Sequence, residues 1–119
     1  MAWRVEFTEV FGEWFEAQER SAQEKIVAAV QILEERGPAL GRPLVDTLKG
    51  SAFANMKELR PRGGNIRVVF AFDPLRQAIL LVGGDKTNRW RAWYEENIPI
   101  ADELFRRHLD EIEKKGAPP

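Results

Sequence analysis

The chain has 119 residues, the length of one ordinary domain, with 44% hydrophobic and 31% charged residues, the balance of a globular protein rather than a disordered one. It contains no cysteine and one histidine, His108, which excludes a disulfide scaffold, a thiolate zinc site, a cysteine nucleophile and His-rich metal sites. The net charge of −1 is unevenly spread: residues 1–56 hold six basic and nine acidic side chains, residues 57–91 eight and three, and residues 92–119 four and seven. A basic middle between acidic flanks suits one surface that faces an anion, although a solvated surface produces the same pattern. The first residues, MAWRVEFTEV, lack the apolar core of a signal peptide. No run approaches the ~18 apolar residues of a membrane span, so a cytoplasmic location without membrane contact is expected.

Trp3, Val5 and Phe7 alternate with Arg4 and Glu6, which predicts a half-buried strand. Thr8 suits an N-cap, and Phe11, Trp14 and Phe15 follow at helical spacing. Ser21-Ala22-Gln23-Glu24 reads as a capping box before the stripe Ile26, Val30 and Leu33, and Gly37-Pro38 stops that helix. Residues 37–55, rich in glycine and proline, read as one long connection. A short strand near Met56, a turn at Pro61–Asn65, a strand Ile66–Phe72 and a strand Ala78–Val82 then form an antiparallel meander, because the gaps leave no room for crossover helices. After Gly83-Gly84 the pattern predicts a helix around Arg89–Glu96 and a separate last helix beginning near Pro99. The tail Lys114–Pro119 is expected to fray. The order β-α-α-β-β-β-α-α makes one α+β domain over residues 1–119, a small, mainly antiparallel sheet with the N-terminal helix pair packed on one face. The other face is expected to meet water.

Cations cluster along this sheet. Lys57 and Arg60 share one strand, Arg67 lies on the next, Arg62 sits in the turn between them, and Lys86, Arg89 and Arg91 follow the last strand. Arginine grips phosphate through two N–H donors and lysine through a point charge, so such a face suits a nucleic-acid backbone. Trp90, Trp93 and Tyr94 interleave with the cations and offer rings for base stacking, although the spacing of Trp90 and Trp93 places at least one in the core. Arg67 stands in an otherwise apolar strand, where a charge must be paired or used. His108 falls on an apolar helix stripe and reads as structural. Gly83-Gly84-Asp85-Lys86 lacks the spacing of a phosphate loop. The chemistry these residues would serve is phosphodiester cleavage by the RNA 2′-hydroxyl, with Arg67 on the phosphate oxygens and Lys86 or Tyr94 moving protons.

At three stretches the chain resembles the HigB/RelE-type toxins of type II toxin–antitoxin systems, in their phage-derived Gp49-like branch. They are Asn55–Pro61 (NMKELRP), Ile66–Pro74 (IRVVFAFDP) and Gly84-Asp85-Lys86, with Ile98–Leu109 similar to the closing helix of that branch. The resemblance implies a RelE-like fold, cleavage of mRNA on the ribosome, no cofactor or metal, and a helix-turn-helix antitoxin of the HigA type through which DNA is met only indirectly. It assigns Arg67 to the scissile phosphate, Lys57 and Arg60 to supporting positions, Lys86 to the basic segment after the last strand, and Tyr94 approximately to the family's C-terminal aromatic. Arg62, Arg89, Trp90 and Arg91 are expected to bind RNA. Two other readings of the same fold are a catalytically inert corepressor and a gyrase inhibitor of the ParE kind.

Overall fold

The computed structural model describes residues 2–116. In chain order its elements are β1 (Arg4–Phe7), α1 (Glu9–Glu16), α2 (Arg20–Arg36), β2 (Val45–Thr47), β3 (Lys57–Leu59), β4 (Ile66–Phe72), β5 (Gln77–Asp85) and α3 (Trp90–Gly116). Thr8 caps α1 as its sequence position suggests: its Oγ1 accepts the Phe11 N–H at 3.0 Å. The same hydroxyl donates to the Leu81 carbonyl at 2.7 Å, tying the start of the helix to β5. The capping box at Ser21 does not form. α2 begins earlier, at Arg20, with Glu19 as an N-cap that makes no side-chain bond. Gln23 holds that register, since its side-chain amide donates to the Phe15 carbonyl at 2.8 Å across the short α1–α2 turn. Gly37 ends α2 with φ of 55°, a conformation a β-carbon disfavours, and any β-carbon there would overlap the Trp3 indole.

The five strands lie in the order β1-β5-β4-β3-β2, with β1 parallel to β5 and the other pairs antiparallel, as expected of the meander. The supposed long connection contains β2, three residues that zip onto β3 with Val45 opposite Leu59. So short a strand leaves no period in the sequence, and pairing alone defines it. β5 also runs further than expected, through Gly83 and Gly84 to Asp85. Both positions are paired into the ladder and need glycine, because a β-carbon would overlap the Trp14 indole at Gly83 and the Trp93 indole at Gly84. A register shift between Val69 and Phe70 adjusts the alternation midway along β4 and β5.

Helices cover both faces of the sheet, which corrects the expectation of an open one. Val68 and Phe70 of β4 pack with Phe11, Ile26 and Leu33 of α1 and α2, while Val69 and Ala71 pack with Trp93, Ala101 and Phe105 of α3. The near-continuous apolar runs of β4 and β5 are the sequence signature of strands buried on both sides. The two helices expected after β5 are one, and Pro99 lies inside it. Proline cannot return an N–H to the Glu95 carbonyl and costs a helix interior about 3 kcal/mol. Burial of Trp93, Ile98, Ala101 and Phe105 along one side of α3 offsets that cost. Asp102, three residues after Pro99, accepts hydrogen bonds from the Ser51 hydroxyl and from the Ala52 N–H at 2.8 Å, pinning the β2–β3 loop to α3. His108 has the structural place read for it. Its Nε2 lies 2.7 Å from Asp73 Oδ2, and Asp73 also accepts from the Leu75 and Gln77 N–H groups, so α3 is fastened to the β4–β5 turn. Of the expected frayed tail, Lys114–Gly116 are helical and the remainder lies outside the described residues.

Candidate active site

Along β3 the side chains alternate, so Met56, Glu58 and Arg60 share the α3 face while Lys57 and Leu59 take the other. Met56 packs in the α3 core and Leu59 in the α1–α2 core accordingly. By the same alternation Arg67 joins Val69 and Ala71 on the α3 face of β4, opposite Gly84 of β5. The first turns of α3 bring Tyr94 over this corner, and Lys86 follows β5 into it. Side chains of β3, β4 and α3 thus meet at one carboxylate, with Lys86 beside the Tyr94 ring.

That carboxylate is Glu58, with 1% of its surface exposed. Its Oε2 accepts Arg60 Nε at 2.8 Å, and its Oε1 accepts the Tyr94 hydroxyl. Arg67 Nε lies 3.8 Å from the same Oε1, too far for a hydrogen bond, so this buried N–H has no acceptor. Arg67 Nη1 donates to the Ile66 carbonyl at 2.8 Å. Arg60 Nη2 reaches Asp46 of β2 at 3.4 Å, and Arg42 meets the same carboxylate at 3.1 Å. The Lys86 ammonium stands 5.6 Å from the centre of the Tyr94 ring.

The electrostatics follow from this crowding. Burial, then the hydrogen bond to Glu58 and its charge, push the Tyr94 phenol up to about 12, so it stays protonated at any physiological pH. Burial and then the Arg67 charge hold Lys86 below the ordinary lysine value, against an opposing pull from Glu58. Burial would lower Arg60, yet the Glu58 hydrogen bond and the charges of Glu58 and Asp46 carry it above its usual value. A protonated phenol, an amine eased toward its neutral form and a guanidinium with a spare buried donor are a set that can hold a phosphate and move a proton.

The structure brings together Arg60, Arg67, Lys86 and Tyr94 of the residues singled out in the sequence. Lys57 is not among them: it faces the other side of the sheet and donates to Thr47 Oγ1 at 3.0 Å. Arg62 is exposed and lies beside Lys25 and Leu44 on the α2 side. Arg89 is engaged by Glu96 at 2.8 Å on the surface of α3. Trp93 is core, whereas Trp90 is 56% exposed with the Arg91 guanidinium 5.5 Å from its ring. Sequence reading missed Glu58 and Asp46. Glu58 was detectable, since it stands two residues from Arg60 and therefore on the same strand face. Among the described residues no three histidine or acidic side chains gather as a metal-ligand set, and no helix is long and apolar enough to cross a membrane.

This sheet and helix arrangement is the RelE fold. The RelE–RelB complex of Pyrococcus horikoshii superposes with a TM-score of 0.59 at 17% identity, covering 74% of this chain and 99% of that one. Isolated RelE of Escherichia coli gives a TM-score of 0.61 at 15% identity, covering 83% and 99%. The model of the phage-derived Gp49-like family matches residues 13–106. Two Mycobacterium tuberculosis proteins that carry toxin names are similar in sequence. HigB3 is 58% identical over 96 residues, 81% of this chain and 84% of HigB3. HigB2 is 52% identical over 103 residues, 84% of this chain but 51% of HigB2, so the chain spans about half of that relative. The chain belongs to the Gp49-like family, a branch of the HigB/RelE-type toxins of toxin–antitoxin systems.

Proposed function

We propose that this chain is an endoribonuclease toxin that cuts mRNA on the ribosome with the side chains around Glu58. The observation that carries this reading is the convergence of Arg67, Lys86 and Tyr94 on one corner of the sheet, with the Arg67 Nε buried and without an acceptor. In the reaction the RNA 2′-oxygen attacks the adjacent phosphorus, the bond to the 5′-oxygen breaks, and a 2′,3′-cyclic phosphate and a 5′-hydroxyl result. Arg67 and Arg60 stabilise the charge that develops on the non-bridging oxygens. Lys86 in its neutral form takes the 2′-hydroxyl proton, and Tyr94 gives its own to the leaving 5′-oxygen. Lys86, standing over the Tyr94 ring, then returns a proton to the phenolate, so the net transfer runs from the 2′-oxygen to the 5′-oxygen. Glu58 holds Tyr94 and Arg60 in place.

The partner that restrains this activity is a helix-turn-helix antitoxin of the HigA type, with DNA met only through it. The complexes of RelE with RelB support an antitoxin as the partner, and its HigA type follows from the family resemblance. A second reading has its own support: Arg60 is already paired with Glu58, which leaves fewer free cations for RNA than a basic nuclease surface has. In that reading the chain is an inert corepressor.

The test is 5′-end mapping of a defined mRNA with and without programmed ribosomes, beside Arg67→Ala. Cuts that need ribosomes and vanish in the variant are expected. Intact mRNA under both conditions, with a folded chain, would favour the corepressor, and a supercoiling assay would then test gyrase as the target.

A further inference from the structure

Next to the Glu58 corner lies a cleft of about 300 Å3 between the start of α3 and the loop after β2, lined by Lys49, Trp90, Arg91, Tyr94, Ile98 and Pro99 among others. Trp90, Tyr94 and Ile98 follow each other at intervals of four and so form one stripe of α3. Their environments differ. Ile98 is buried, Tyr94 turns its hydroxyl to Glu58, and Trp90 leaves more than half of its surface to solvent. The exposed indole, with a guanidinium beside it, presents a flat apolar face next to positive charge, the combination that a stacked nucleobase and its phosphate would use. The cations Lys49 and Arg91 outnumber the one carboxylate of the lining, Glu95.

We infer that this cleft is a nucleobase subsite, in which one base of single-stranded RNA next to the cleaved step stacks on Trp90 while Lys49 and Arg91 hold its phosphate. The inference rests on the nuclease reading, because Tyr94 is the wall that the cleft shares with the Glu58 corner. Stacking on an aromatic ring tolerates any base, since every base has a π-face, and phosphate contacts carry no sequence information. The subsite therefore positions the strand and does not select a codon. Arg91, 5.5 Å from the Trp90 ring, keeps the indole face cation-rich and matched to an anionic strand.

The test uses the full chain and a short, fluorescently labelled single-stranded RNA made uncleavable by 2′-O-methyl groups, followed by anisotropy. Trp90→Ala should weaken binding about tenfold, the lower part of the range for loss of one stacked base. Trp90→Phe, which keeps a ring, should stay within about threefold of the unmodified chain by the same stacking argument. Lys49→Gln and Arg91→Gln should each make binding less dependent on salt. Thermal midpoints of the variants confirm folding, and Trp90, being exposed, can be changed without opening the core. No saturable binding by the unmodified chain, equal binding by Trp90→Ala, or Trp90→Phe as weak as Trp90→Ala would each overturn the subsite. Loss of cleavage in Arg67→Ala alongside any of these leaves the nuclease reading standing and removes the subsite alone. Intact mRNA with the folded, unmodified chain while RNA binding still needs Trp90 removes the nuclease reading and leaves the stacking site.

Discussion

Tyr94, on the second turn of α3, gives its hydroxyl hydrogen to Glu58, a β3 carboxylate sealed from solvent. One bond therefore joins the C-terminal helix to the strand that carries Arg60, and together with burial it keeps the phenol protonated to higher pH. A change at either end is felt both in the fold and in the chemistry.

Glu58→Ala should be among the most damaging single changes to stability. It leaves Arg60 and Arg67 without their buried partner, and breaking one side of a buried ion pair costs about 3–5 kcal/mol. Glu58→Gln keeps an oxygen acceptor for Tyr94 and should lose less. Urea unfolding of the two variants side by side measures the difference, and equal losses would mean that the charge, not the acceptor, carries the stability.

Tyr94→Phe should abolish or strongly slow cleavage and change how stability responds to alkali. The phenol titrates near 12 in the fold against an ordinary value of 10.0, so its contribution is full below about pH 10 and disappears as pH climbs through 12. The stability gap between the chain and its Tyr94→Phe variant should therefore narrow across that window. A gap that is constant over it would show that burial and Glu58 do not hold the phenol in its neutral form.

Lys86→Met should stabilise the protein near neutral pH while cleavage falls. Burial and Arg67 lower the lysine in the fold, so its charged form is less favourable there than in the unfolded chain. That penalty is present at low and neutral pH and vanishes once pH exceeds the ordinary value of 10.5. Thermal melts at pH 7 and above pH 10.5 compare the two regimes. A destabilised Lys86→Met at pH 7 would contradict the assignment.

Gly84→Ala should cost about 1–3 kcal/mol, the usual range for forcing extra volume into packed structure. The added methyl overlaps the Trp93 indole, and Trp93 precedes Tyr94 on the helix. The strain should therefore also reach the active corner. A melt paired with a cleavage assay separates a loss of stability from a displaced Tyr94.

The sequence carried most of the architecture because its signals are local. Thr8 caps α1 through its own hydroxyl, Gly37 stops α2 through its positive φ, and the apolar runs of β4 and β5 mark strands without any knowledge of their neighbours. Its motifs also pointed to the family, and Arg67 stood out as a charge among apolar residues. What the sequence left undecided depends on contacts between distant segments. β2 exists only because Val45 meets Leu59, and Pro99 stays helical only because the residues around it are buried on the sheet. The same holds for the active corner. Alternation sends Glu58 and Arg60 to the α3 face and Lys57 to the other, but it is packing that sets Tyr94 on Glu58 across 36 residues of chain. Only the tertiary structure could distinguish the cations that meet there from those left on the surface, because charge along a chain is local while the burial that gives it chemistry is not.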